Sequence, residues 1–338
     1  MEAFPVNHVK SDRILLLGDH YHRVLQKLGY EISELPESLF FTFCGDLLGS
    51  SGEHYQKGKE LNFFEAIERA SLLFSDDFME SLAMYLMRAE KINPDLEGLL
   101  AAKDIFFDEI ASHFETLSET YSPWFGSIRN AATPDEFYNV TSQHASCGAA
   151  MRAAVTGALG LSDEQAFKLF AITHLHPEAI EGGFWVKGYA EAAGKSASFE
   201  DCLKEASIRS SVGLSLLKDF LGQQTLPPVP EDYTPLNTII DHVLDACDPY
   251  ASITDIQEEG IETRYVVGAA AHILASVHDN AQTGVTIPKI VTDSLRIGGD
   301  PDTICSITTS LYGLQWPKES KAFMDQTRIG TYDKNTPE

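Results

Sequence analysis

Apolar residues recur at helical spacing along nearly the whole chain. Phe167, Leu169, Phe170 and Ile172 form one such stretch, Leu82, Tyr85 and Leu86 within Met79 to Ala89 another, and Ile304, Ile307, Leu311 and Leu314 a third. Alternation of the kind a half-buried strand needs is scarce. Breakers divide the helices at Ile92-Asn-Pro94, Ser122-Pro123, Ala132-Thr-Pro134 and Gly160-Leu-Ser162. The run Thr225 to Pro235 is rich in proline and reads as a surface loop or insertion. Ser162 with Glu164 and Gln165 starts one clear helix. There is no internal repeat, low-complexity tract or long linker, so the pattern predicts a single all-α domain. The most apolar long stretch, Tyr265 to Val277, contains His272 and is too short to span a bilayer.

Charge narrows the classes of partner. The 338 residues carry 25 Lys plus Arg against 50 Asp plus Glu, a formal net charge of -25. That balance repels nucleic-acid phosphates and anionic lipid, and no local basic patch offsets it. Cys44, Cys147, Cys202, Cys247 and Cys305 are odd in number, scattered and free of any Cys-x-x-Cys pair. Neither a disulfide framework nor a zinc knuckle is indicated. The opening Met-Glu-Ala-Phe-Pro lacks a basic region followed by an apolar core. The expectation is a soluble, unprocessed, cytoplasmic protein.

Candidate chemistry concentrates in Arg296-Ile-Gly-Gly-Asp-Pro-Asp-Thr303, a glycine-rich turn feeding a helix. Two glycines allow a tight turn, Pro301 fixes φ between the acids, and Asp302 or Thr303 can cap the helix that follows. Capping needs one acceptor, whereas Asp300, Asp302 and Thr303 supply three oxygen-bearing side chains, as a hard cation requires. The turn lacks the third acid, central glycine and terminal glutamate of a calcium-binding helix-loop-helix. One turn cannot complete an octahedral site, so further oxygens must come from elsewhere. Phe74-Ser75-Asp76-Asp77-Phe78, at the head of the Met79 helix, is the best source, although there Ser75 can simply cap and the acids complement the helix dipole. Together the two clusters can converge on one or two Mg²⁺ or Mn²⁺ ions.

Three further stretches stand out. Cys44-Gly-Asp-Leu-Leu-Gly-Ser-Ser-Gly-Glu53 reads as an apolar helix end dissolving into a Gly/Ser loop, with Asp46 making buried hydrogen bonds. Glu53, beyond it, is a solvated loop residue unless a cation stands beside it, where it can hold and deprotonate a water. Ser146-Cys-Gly-Ala-Ala-Met-Arg152 is a small-residue turn opening a helix, suited either to a phosphate or to helix packing. In Thr173-His-Leu-His-Pro-Glu-Ala-Ile-Glu-Gly182 the i, i+2 spacing of His174 and His176 puts their rings on different helix faces, against a shared zinc ion. His174 is either a hydrogen-bonded core residue or a substrate contact.

Taken in order, Gly45-Asp-Leu-Leu-Gly with Glu53, Ser75-Asp-Asp, Cys147-Gly-Ala-Ala-Met-Arg152, the Thr173 to Gly182 run and Gly298-Gly-Asp-Pro-Asp-Thr303 resemble the ADP-ribosylglycohydrolase family. That family includes the ADP-ribosylarginine and ADP-ribosylserine hydrolases and the dinitrogenase-reductase-activating glycohydrolase. The resemblance spans about Phe43 to Gly313. It implies a single compact, orthogonal all-α domain over residues 41–320, flanked by an N-terminal extension (1–40) and a tail (321–338). It also implies two Mg²⁺ or Mn²⁺ ions held by Ser75, Asp76, Asp77, Asp300, Asp302 and Thr303. Glu53 falls where serine-specific members carry a catalytic glutamate, so Glu53 or Asp77 is the general base. Ser146, Cys147 and Gly148 match the loop that meets the ADP-ribose phosphates, and His174 a position that touches the ligand.

The implied reaction is metal-dependent hydrolysis of the bond between ADP-ribose and an arginine or serine side chain, or a small leaving group. The substrate is thus an ADP-ribosylated protein or an ADP-ribose-containing small molecule, without nucleic acid or membrane. Two departures bear on it. Phe78 replaces the threonine that usually closes the Ser75 motif and can reshape the cleft floor; Cys147 stands where asparagine is common and removes an amide donor. They argue for the alternative of a catalytically silent ADP-ribose or nucleotide-binding module. Intact Asp76, Asp77, Asp300 and Asp302 argue against it.

Overall fold

Prolines and small polar residues set where the helices begin. Thr133 accepts a hydrogen bond from Glu136 N while the Glu136 carboxylate accepts from Thr133 N, ahead of Pro134. Ser162 and Gln165 form the same reciprocal cap. Ser198 accepts from Asp201 N, and His176 Nδ1 from Glu178 N just before Pro177. Each such cap contributes about 1 kcal/mol. The computed structural model describes residues 17–18, 21–26, 35–53, 76–87, 89–113, 123–245, 262–280 and 287–326. In chain order the helices are α1 (Glu37–Glu53), α2 (Asp76–Leu86), α3 (Leu96–His113), α4 (Pro123–Asn130), α5 (Pro134–Thr141), α6 (Gly148–Met151), α7 (Ala153–Ala158) and α8 (Asp163–Ala171). There follow α9 (Pro177–Gly194), α10 (Phe199–Gln223), α11 (Leu236–Asp245), α12 (Thr263–Asn280), α13 (Ile287–Ile297), α14 (Pro301–Gln315) and α15 (Pro317–Gln326). Among the described residues there is no strand, only an isolated antiparallel bridge between Ser146 and Glu262. The all-α expectation holds, and no described helix is long and apolar enough to cross a membrane.

The axis of the fold is α14, buried from Pro301 through Gly313. It packs most extensively on α1 and also touches α2, α6, α7, α9, α12, α13 and α15. The intimacy of the α1–α14 pair comes from small residues. A Cβ on Gly45 would lie 2.3 Å from Thr309 Oγ1 and 2.6 Å from the Cys305 carbonyl oxygen; one on Gly49 would lie 2.4 Å from Asp302 Cα. With the backbones this close, hydroxyls bridge them: Thr309 donates to the Phe41 carbonyl at 2.8 Å, and Thr42 and Ser310 hydroxyls meet at 2.7 Å. The Cys44 to Glu53 stretch is therefore not a helix end dissolving into a loop. It is helical to Glu53, and Gly45 and Gly49 serve contact instead of turning.

A second layer is built on α9, buried along nearly its whole length, with α10 lying against one side and α7 against another. The Pro-rich run between α10 and α11 is a surface loop, as expected, yet it is tied down. Buried Glu181 accepts from Tyr233 OH and from Leu236 N, which also seats the start of α11.

Candidate metal and ligand site

Gly298 and Gly299 both adopt left-handed backbone, with φ of +73° and +79°, where a Cβ would crowd the following carbonyl. Their double reversal carries the chain from α13 into α14. Tyr265 OH donates to the carbonyls of Ile297 and Gly298 at 3.2 and 3.3 Å and fixes the turn. Asp300 emerges as the N-cap residue and Pro301 as the first helical one. The capping expected of Asp302 or Thr303 does not occur: both lie inside the first turn, and even Asp300 makes no side-chain cap bond. Thr303 Oγ1 instead donates to Asp77 Oδ2 at 3.1 Å, joining α14 to α2.

Asp76 and Asp77 open α2. Asp46, reaching from α1, accepts the Phe78 N–H at 2.9 Å and so caps α2 from outside, as its expected buried role requires. Asp77, Asp302 and Thr303 are buried, while Asp76 and Asp300 are half-buried at the mouth above them. Burial, and then the charge of Asp302, raise the carboxyls of Asp76, to about 6, and of Asp77 and Asp300. Asp302 Oδ1 is buried and accepts no hydrogen bond. Among the described residues no three His, Cys, Asp or Glu side chains are arranged to hold an ion as they stand. The donor chemistry nonetheless suits a hard divalent cation: oxygen donors only, mutual repulsion, and a buried oxygen with nothing opposite it.

The Ser146 turn stands beside this mouth. Cys147 Sγ donates to Asp300 Oδ2 at 3.1 Å, and burial, then Asp300, push the thiol well above its ordinary range, so it stays a neutral donor. Ser146 Oγ meets His174 Nε2 at 2.9 Å, and Thr173 Oγ1 meets His174 Nδ1 at 2.8 Å. The ring lies against the turn, where a Cβ on Gly148 would be 2.6 Å from Cε1. Burial, reinforced by Arg152, holds His174 well below its usual pKa, hence neutral. Trp124 also packs against it, tilted, with ring centroids 4.9 Å apart, and meets exposed His144 in a similar tilted contact at 5.0 Å. His174 and His176 sit on a turn preceding α9 and not within a helix, which corrects the expected geometry; His176 caps α9.

Three consecutive residues at the start of α12 bind the pieces together. Thr263 Oγ1 donates to the carbonyls of Ala145 and Ser146 at 2.7 and 2.9 Å. Arg264 pairs with buried Glu178 at the head of α9, and Tyr265 holds the Gly298 turn. Gly182 makes room for this: a Cβ there would fall 2.0 Å from Thr263 Cγ2.

The structure thus gathers Asp76, Asp77, Asp300, Asp302 and Thr303 at one point, with Ser146, Cys147, Gly148 and His174 next to it. Ser75 lies outside the described residues; Glu53 ends α1, and its side chain too lies outside them. Phe78 does not line the cleft. Its ring is fully buried against Tyr21 and Phe43, with centroids 5.9 and 5.2 Å away. Glu80, one turn beyond Asp76, and Arg152, which the sequence leaves without a role, form a buried ion pair beneath the site. Their signal was a charge on an otherwise apolar helix face. Trp124 had none.

A family model described as ADP-ribosylglycohydrolase matches residues 37–319. Among solved structures, one described as an ADP-ribosylglycohydrolase-related protein complex is similar with a TM-score of 0.50 and 16% identity, over 92% of this chain and 100% of that one. At that identity the likeness concerns the fold. A search of curated proteins finds no match.

Proposed function

Since the chain belongs to the ADP-ribosylglycohydrolase family, we propose that it hydrolyses the glycosidic bond joining ADP-ribose to a protein arginine or serine, or to a small leaving group. Asp76, Asp77, Asp300, Asp302 and Thr303, with Ser75, would hold a pair of Mg²⁺ or Mn²⁺ ions. The observation that carries this reading is the meeting of four carboxylates from two helix N-termini, with Asp302 Oδ1 buried and unpaired. Such a cluster is costly for a fold without a counter-charge.

When bound, the cations supply positive charge to the ribose hydroxyls and lower the pKa of a water. The chain's own groups do the rest. Asp77 or Glu53 would take a proton from the attacking water at a carboxylate oxygen, and that proton would pass to the departing nitrogen or oxygen as its bond to the anomeric carbon breaks. The Ser146 turn engages the phosphates away from the reacting bond, so remote binding orients the anomeric carbon. Neutral His174 adds hydrogen bonding without charge.

Peptides bearing ADP-ribosyl-arginine and ADP-ribosyl-serine, incubated with Mg²⁺ and then with chelator, test the proposal. Release of free ADP-ribose that stops on chelation is the expected result; no release from either peptide overturns it. A module that binds ADP-ribose without turnover is the second reading, favoured by one contact, the Cys147 thiol engaging Asp300 Oδ2. Calorimetric binding of ADP-ribose without release would select it.

A further inference from the structure

Behind the Ser146 turn runs a buried polar chain that ends at the surface. Arg152, fully buried beneath Phe106 and paired with Glu80, donates from Nη2 to Thr173 Oγ1. A guanidinium can only donate, so Thr173 Oγ1 accepts. The one proton of that hydroxyl has two acceptors in reach, His174 Nδ1 at 2.8 Å and the Phe170 carbonyl at 3.5 Å. The carbonyl already accepts from His174 N at 3.0 Å and Thr173 N at 3.3 Å. The proton therefore goes to Nδ1. A neutral imidazole that accepts at Nδ1 carries its hydrogen on Nε2, and Nε2 faces Ser146 Oγ at 2.9 Å.

We propose that Arg152, Thr173 and His174 are positioning residues that fix Ser146 as a hydrogen-bond donor to an anionic group of the ligand. With its oxygen occupied by the imidazole N–H, half-buried Ser146 has its own proton left to give, beside the mouth of the acid cluster. A chain of donors that begins on a guanidinium is polarised in one direction, towards an incoming anion. Each link is oriented before the ligand arrives. The ligand part of this inference rests on the function proposed above, with an ADP-ribose phosphate as the anion; the orientation of the chain does not.

Nitrogen-15 NMR of the histidine rings reads the orientation without ligand. His174 is expected as the neutral Nε2–H tautomer, with that signature lost in Thr173→Val and restored in Thr173→Ser. An Nδ1–H tautomer in the unaltered protein overturns the proposal. Calorimetry with ADP-ribose reads the consequence: Thr173→Val and Ser146→Ala should each weaken binding about tenfold, and the double variant little further. Unchanged affinity in Ser146→Ala, with the variant folded, overturns the anion role. If the unaltered protein binds no ADP-ribose, the functional reading fails and the tautomer alone decides the orientation.

Discussion

The four acids were legible because each pair sits in a short run of oxygen-bearing residues, and the chemistry of a run survives whatever the chain does elsewhere. What surrounds them was not legible. That Asp46 caps α2, that the Cys147 thiol faces Asp300 and that Thr303 bonds Asp77 are facts of approach between distant segments. Crowding makes a pH prediction with a definite sign. A carboxyl raised in the folded state binds its proton more tightly there than when unfolded, so its contribution is full below about pH 4 and is lost as pH rises through the folded pKa, about 6 for Asp76. In chelator, the thermal midpoint should fall across that window; with Mg²⁺ the fall should be suppressed, because a cation replaces the protons. A flat profile in chelator would show that the carboxylates do not repel as described. Asp302→Asn removes one of the repelling charges, so it should raise the midpoint in chelator while lowering Mg²⁺-dependent release of ADP-ribose at least about a hundredfold.

Among elements, the capped starts at Ser162 and Thr133 follow from local rules that the packing does not contradict. The stretch from Cys44 to Glu53 misled for the opposite reason. Glycine and serine are turn formers in isolation, but here α14 passes so near that only glycine fits, and the buried contact outweighs glycine's helix cost of roughly 1 kcal/mol. Gly45→Ala should therefore destabilise by about 1–3 kcal/mol, because the backbone of Cys305 and Ser306 cannot move aside cheaply. Gly126→Ala, in α4 with nothing within 4 Å of the added methyl, should stabilise by about 0.5–1 kcal/mol. Urea midpoints of the two variants, moving in opposite directions at unchanged slope, would separate contact from propensity. Equal shifts would mean that the α1–α14 approach is looser than described.

On the scale of the whole molecule, the acids of α2 and α14 are brought together from opposite ends of the chain, so an ion between them would close a very long loop. Binding to the folded state alone adds about 2.7 kcal/mol at a hundredfold excess over the dissociation constant. Mg²⁺ at that level should raise the unfolding free energy by this amount, and NaCl at equal ionic strength should not. Matching effects of the two salts would reduce the gain to general screening of the net charge of -25.

Thr263, Arg264 and Tyr265 give the site an unusual kind of tolerance. Successive helix residues point about 100° apart, so a single turn of α12 reaches the Ser146 turn, the head of α9 and the acid turn at once. The spacing between the acids and the Ser146 hydroxyl is then set by one helical turn and not by three independent loop positions. A substitution in one of these loops that keeps its hydrogen bond to α12 should leave that spacing unchanged. A change that unseats the start of α12 should instead spoil metal and ligand binding together, the two losses tracking each other from variant to variant.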